Sequence, residues 1–343
     1  MADPVPHDIR ALADERSRAR RDHDWATADR LKAELAAAGW NVVDAASLYT
    51  LERRPEAVVE VDGEVRFGSS EAVPSRLDEA PSSAATVVLV ADDAAGVLAR
   101  AVAGVLAHSP ASQVVVVANQ PSPPVASEIG RLPDGVEVVR LASRLGAAAA
   151  RNAGIRRAAG GVIVLMSPRL EAHGDLVGAL AAELADPTVA VAGIEGRTTT
   201  DLVHFAATPS GVTAADTVSL RATAFRRVDY IARGPLDEHF TLEAYLDAWW
   251  GFVLRDVPDD ADADATPRRA VVVALPFSVL GEEPPPPDER LAKKQRYRFL
   301  KWFASRRDLM VGAPAVEGAR DGQDSARIPD RRPNETSGAS FHG

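Results

Sequence analysis

The chain has no cysteine among its 343 residues. That excludes disulfides and thiolate zinc sites, and nothing points to an oxidising compartment. No stretch approaches 18 uninterrupted apolar residues, so no membrane span is expected. The first residues, MADPVPHDIR, lack the apolar core of a secretory signal. An excess of positive charge is missing as well. The formal charge is -10, which argues against a nucleic-acid protein as a whole. His173, His204 and His239 are scattered, and no two have zinc-site spacing. The bland reading is a soluble cytoplasmic protein.

What is present is apolar and patterned. The composition is 46% hydrophobic, enough for a sizeable core over one large domain with appendages or two domains. HDIRALADERSRARRD is mostly polar, with Ile9, Leu12 and Ala19 as a weak apolar face. Asp24 is placed to cap a second helix in which Trp25, Ala28, Leu31 and Leu35 recur with helical spacing, and Gly39 ends it. Two such short helices are expected to dock on a partner or on the main domain. AVVEVDGEVRF alternates about Asp62-Gly63, a good hairpin turn. GSSEAVPSRLDEAPSSAA reads as a linker.

From Thr86 onward strands and helices alternate. TVVLVA, SQVVVVAN, GVEVVRL, GVIVLM and VAVAGIEG are apolar throughout, the pattern of a mostly parallel sheet covered by helices on both faces. AVVVALPFSVL reads as one late strand and GEEPPPPDE as an extended spacer. RLAKKQRYRFLKWFASRRDL is a basic amphipathic helix whose aromatic face suits packing, while its basic face leaves contact with a membrane surface or nucleic acid open. The expected division is 1–45 helical hairpin, 46–85 short β-hairpin and linker, 86–282 α/β domain, 283–312 spacer and basic helix, and 313–343 disordered tail.

Ligands of open parallel sheets bind beyond the carboxyl ends of strands. Asn119 follows the second strand there, either to meet a base or ribose or as a loop residue before the rigid PSPP. Arg151 and Asn152 are the polar members of the small-residue helix after Gly146. Arg151 suits a diphosphate, or lies on the surface of a helix whose alanines are tight packing. Arg169, in Ser167-Pro168-Arg169, either neutralises phosphate charge or is solvated. LDEHFTLEAYLDAWWGFVLRD reads as a helix with a broad apolar surface. Glu243 and Asp247 are four residues apart and share one side, about 6 Å apart along the axis. Desolvation by the neighbouring aromatics would raise the pKa of Asp247 and suit it to proton abstraction. The alternative is an acid paired with Arg255 or another arginine to fix helix packing.

These residues resemble a family 2 glycosyltransferase of the GT-A type over roughly Thr86 to Leu280. QVVVVANQPS is similar to a strand that usually ends in a uridine-contacting aspartate, where Ala118 stands here. GAAAARNAGIRRAAGGVIVLM resembles the family's Gly-rich helix and next strand. GPLDEHFTLEAYLDAWWGFVLRD is similar to its acceptor-side segment. The resemblance implies a nucleotide-diphospho-sugar donor, an acceptor of unknown identity, and Asp247 at or near the base position, with Glu243 and Asp237 in support. The acidic metal motif is replaced by Ser167-Pro168-Arg169 and the late histidine is absent from LPFSVLGEE, so no metal site is expected. Two functions follow: a transferase working without that motif, or a catalytically inactive GT-A-like binding or assembly module. In the second, a protein partner would be met through the N-terminal hairpin or the basic C-terminal helix. RSRARRDHDWATADRLKAELAAAGWNVVDA resembles the C-terminal helical part of cysteinyl-tRNA synthetase. That implies a tRNA-facing ancestry, while a nucleic-acid partner is not expected.

Overall fold

The computed structural model describes residues 5–22, 24–45, 48–54, 56–91, 93–209, 211–257, 266–282 and 287–311. The expected disordered tail and residues 283–286 of the proline spacer lie outside them. The chain forms two compact units, 1–68 and 69–343.

In the first unit, α1 (His7–Arg21) and α2 (Trp25–Ala37) fold back on each other. Asp24 caps α2, its carboxylate accepting the Thr27 N–H at 3.1 Å, worth about 1 kcal/mol. Gly39 ends the helix at φ +82°, where a side chain would be strained. The helices were expected to seek cover elsewhere. They find it in the ribbon that follows, β1 (Trp40–Ala45) paired antiparallel with β2 (Leu48–Arg53). Ile9, Ala13, Leu35 and Trp40 close this small core, with Leu12 and Leu51 packed against it. The hairpin β3 (Val58–Val61) and β4 (Glu64–Phe67) turns at Asp62-Gly63, both at positive φ, as a two-residue turn of this kind requires.

The second unit starts with the linker-like 69–82, which is pinned down. Val73 is fully buried. Arg156 donates to its carbonyl at 2.6 Å, and Arg227 to those of Arg76 (2.5 Å) and Glu79 (2.8 Å). There follow β5 (Ser83–Ala91), α3 (Leu98–His108), β6 (Gln113–Ala118), α4 (Pro123–Ile129), β7 (Glu137–Arg140), α5 (Ala147–Ile155), β8 (Gly160–Met166), β9 (Leu170–Ala172), α6 (Leu176–Glu183) and β10 (Val189–Gly193). After them come β11 (Gly196–Thr198), β12 (Ala206–Ala207), β13 (Ala214–Ala215), β14 (Thr217–Val218), β15 (Ala222–Arg226), α7 (Arg227–Arg233), α8 (Leu246–Arg255), β16 (Arg269–Val272), β17 (Phe277–Val279) and α9 (Glu289–Phe303).

Eight strands form one sheet in the order β13-β16-β10-β15-β8-β5-β6-β7. Only β13 and β15 run against the rest, so the sheet is mostly parallel. Val87, Leu89, Val116 and Val164 pack with Leu98 and Val102 of α3 and Leu180 of α6. On α5, a Cβ at Gly154 would lie 2.4 Å from Val88 Cγ1 and 2.8 Å from Val117 Cγ2. The small residues of α5 thus let it sit tight on the sheet. The chain runs β5-β6-β7 one way and returns to β8 on the other side of β5, which creates a crevice at the carboxyl ends of β5 and β8.

Three expectations are corrected, and one strand was not foreseen. The late strand is two, β16 beside β10 and β17 against β9, separated by a segment holding Pro276, which has no N–H to give a ladder. PSPP opens α4, where proline suits the first turn. The central strand β15 carries no distinguishing pattern and lies among residues with no expected element. Finally, α8 starts at Leu246, because Tyr245 stands at φ 64°.

Candidate active site

The ends of β5, β6 and β7 are tied by one ion pair. Arg144 Nη2 donates to both carboxylate oxygens of Asp93, at 2.9 and 2.7 Å, and to the Gln120 carbonyl at 3.1 Å. Asn119 turns both ends of its amide onto Leu145, donating to its carbonyl at 3.0 Å and accepting its N–H at 2.7 Å. It fixes the approach to α5, with one N–H and one lone pair of its amide committed to Leu145. The first N–H groups of α5 are committed too. Ala147 donates to the Thr241 carbonyl and Ala148 to that of Phe240.

After β8, the Ser167 hydroxyl accepts the Arg169 N–H at 3.2 Å. The Arg169 side chain reaches the Glu282 carbonyl at 2.6 Å. A hydroxyl and a guanidinium do not fit a hard divalent cation, which takes carboxylate and carbonyl oxygen. Among the described residues no three His, Cys, Asp or Glu side chains come together as a ligand group. After β10, Glu195 pairs with Arg221 at 3.1 Å, and Arg221 immediately precedes β15 at the same edge.

The start of α8 holds the best-placed acid. Asp247 is buried and its Oδ2 lies 3.0 Å from Arg197 Nη1, on β11. Oδ1 accepts the Ala248 N–H at 2.8 Å. Burial pushes its carboxyl above the ordinary value, while Arg197 and that N–H pull against it. The charge of Glu243 pushes the same way as burial. Of the partners the sequence offered, Arg255 or another arginine, it is another arginine, Arg197, that pairs with Asp247, while Arg255 donates to the Asp216 and Arg268 carbonyls. Nor do Glu243 and Asp247 share a helix. Glu243 precedes α8 and pairs with Arg151, whose other amino group donates to the Ala147 carbonyl at 3.1 Å. Glu243, Arg151 and Asp247 are thus brought into one neighbourhood by a route the spacing did not foresee.

Asp237 and Asn152 belong to other networks. Asp237 accepts from the Arg298 guanidinium of α9 and from the His239 N–H at 3.1 Å, with His239 Nδ1 at 2.9 Å. Burial acts to raise its pKa, but these partners outweigh it and hold the carboxyl at about 2. Asn152 is a buried hub. It donates to the Leu236 carbonyl (2.8 Å) and Glu238 (3.0 Å), and accepts from Tyr230 Oη (2.9 Å) and the Leu236 N–H (3.0 Å). The sequence reading missed Asp93, Arg144, Glu195 and Arg197. Asp93 and Glu195 each stand two residues past a strand, which the rule applied to Asn119 would have found.

Three comparisons bear on this arrangement. Residues 86–209 match the model of the glycosyl transferase family 2. A crystal structure of GalNAc-T7 with UDP, GalNAc and Mn2+ superposes with a TM-score of 0.53 at 15% identity, over 65% of this chain and 48% of that one. A short N-terminal stretch is 52% identical over 44 residues to cysteine–tRNA ligase 1 of Burkholderia lata, covering 13% of this chain and 9% of that protein. It is 48% identical over 48 residues to the cysteine–tRNA ligase of Opitutus terrae, covering 14% and 10%. The chain therefore spans about a tenth of the length of the ligases it matches. The sheet order, the carboxyl-edge crevice and these matches give the second unit a GT-A-like fold, with a glycosyltransferase family 2 resemblance seated in residues 86–209.

Proposed function

We propose that the second unit binds a nucleotide-diphospho-sugar at the carboxyl edge of its sheet and transfers the sugar to an acceptor hydroxyl. The observation that carries this reading is the buried carboxylate of Asp247, raised in pKa and facing a single guanidinium. In the step, the acceptor oxygen bonds to the anomeric carbon as the carbon–phosphate-oxygen bond breaks. Asp247 takes the acceptor proton. The charge growing on the departing diphosphate is met by guanidinium, from Arg169 at the end of β8 or from Arg151 once the diphosphate replaces Glu243 as its partner. No step is assigned to a metal, because the donor set after β8 does not fit one.

A second reading is favoured by one observation. Asp93, Glu195, Glu243 and Asp247 each already hold an arginine. An edge neutralised in this way suits a catalytically silent assembly module, with partners met elsewhere on the chain. Calorimetric titration with UDP-, GDP- and TDP-sugars, with and without Mn2+, separates the two. Binding that ignores the metal supports the transferase site. Folded protein that binds none of the panel overturns that reading for those donors.

A further inference from the structure

The first unit contains a groove that the proposed transferase function does not use. It is an open groove of about 620 Å³ between α1 and β2, a volume suited to a ligand of nucleotide size. Arg10, Arg18 and Arg21 line it from one face of α1, at i, i+8 and i+11. Arg18 and Arg21 are one turn apart, about 4.5 Å along the axis, and Arg10 lies about 12 Å from Arg18. None of the three has an ion-pair or hydrogen-bond partner for its guanidinium among the described residues, although the carboxylate of Asp14 stands between them in sequence. That carboxylate accepts the Tyr49 hydroxyl at 2.6 Å instead. Elsewhere in the chain arginines close readily on neighbouring acids, as Arg30 does on Glu34 one turn away. The remaining wall is mixed: the Ser17 hydroxyl beside Arg18, and the Tyr49 ring with Leu51 opposite.

We propose that this groove is a binding site for a nucleotide-sized organic phosphate. Arg18, Arg21 and Ser17 would hold the phosphate, since forked guanidinium groups match phosphate oxygens in geometry and charge. The flat, apolar part of the ligand would lie on Tyr49 and Leu51. With its hydroxyl committed to Asp14, Tyr49 presents the ring as a fixed surface. Arg10 would meet the far end. Every residue involved lies within 1–68, so the site stands or falls independently of the sugar-transfer reading.

The test is calorimetry on the full chain with AMP as probe and inorganic phosphate as competitor. AMP should bind once per chain, phosphate should displace it, and R18Q and R21Q should each weaken it roughly tenfold, the loss of one charge-assisted hydrogen bond. A loss of AMP affinity in R18Q and R21Q, both on α1 within 1–68, separates this groove from the nucleotide-sugar site of the second unit. All three guanidinium groups are exposed, and unchanged thermal unfolding of R18Q and R21Q would show that both variants fold. Absence of AMP binding, or binding indifferent to both arginine substitutions, overturns the site. Binding of a single-stranded RNA oligonucleotide about a hundredfold tighter than AMP, with steep salt dependence, also overturns it in favour of a polyanion surface.

Discussion

Arg197 Nη1 lies 3.0 Å from Asp247 Oδ2, and the pair shares solvent unevenly. The arginine side chain is 41% exposed and the aspartate 7%. The carboxylate is therefore held in low dielectric by a cation that remains open to water, so the cation is the part a ligand can perturb. Removing it leaves a buried charge uncompensated, which costs far more than a surface pair is worth.

A pH profile follows from that relationship. Burial already raises the Asp247 pKa and Arg197 restrains it. A base must be ionised to act, so Arg197→Gln should move the acid limb of the kcat/KM profile to higher pH. Asp247→Asn should lower kcat by about 10²–10⁴, the range for a lost general base, with donor affinity nearly unchanged. Unaltered turnover in Asp247→Asn would remove Asp247 from the chemistry.

Asn152 separates a ligand contact from a structural hub. Its amide satisfies the Tyr230 hydroxyl, both backbone groups of Leu236 and the Glu238 carboxylate. Asn152→Ala should destabilise the second unit by about 3 kcal/mol, because several buried groups lose their partner at once. Nucleotide-sugar affinity should stay within about threefold, as no part of the amide is free. Chemical denaturation and donor titration on the same variant check both halves.

The contrast between Asn152 and Asp247 shows what the sequence could carry. Apolar runs such as QVVVVA and GGVIVLM declare buried parallel strands, because a strand covered on both faces has no polar alternation. The caps Asp24 and Gly39 are equally legible, being local devices. A polar residue's role is not local. Asn152 reads as a ligand contact until Leu236, more than eighty residues away, is seen to occupy it. The helix from Leu242 also read well by periodicity, yet the left-handed Tyr245 breaks it. That residue is held from outside, by its hydroxyl on the Val203 carbonyl at 2.5 Å.

Asp237 predicts acid sensitivity of known sign. Its folded pKa is lowered to about 2 from an ordinary 3.8. Ionised Asp237 therefore stabilises the fold above the ordinary value, and this contribution disappears as pH falls through about 2. At roughly 1.4 kcal/mol per pH unit the effect is about 2 kcal/mol at neutral pH. Asp237→Asn should cost that much in urea unfolding at pH 7. The gap between variant and parent should close progressively as the titration is repeated from pH 4 downward.

The basic helix α9 offers the last test, because packing and docking use opposite faces. Phe299 is fully buried, with ring centroids 5.7 Å from Phe205, 5.4 Å from Phe252 and 5.3 Å from Phe303. Phe299→Ala should cost about 3–5 kcal/mol, the price of an emptied aromatic site in a core. It should also loosen the Tyr245 turn, since those rings lie 5.9 Å apart. Tyr297 is 59% exposed between Lys293 and Arg296, and Tyr297→Ala should change stability by less than about 0.5 kcal/mol. Thermal unfolding of the two variants distinguishes the faces. Equal, small effects would mean that α9 contributes little to the second unit and is only laid against it. A large loss confined to Phe299→Ala would make α9 an integral wall beside the Asp247 helix, with its cationic face left over for solvent or a partner.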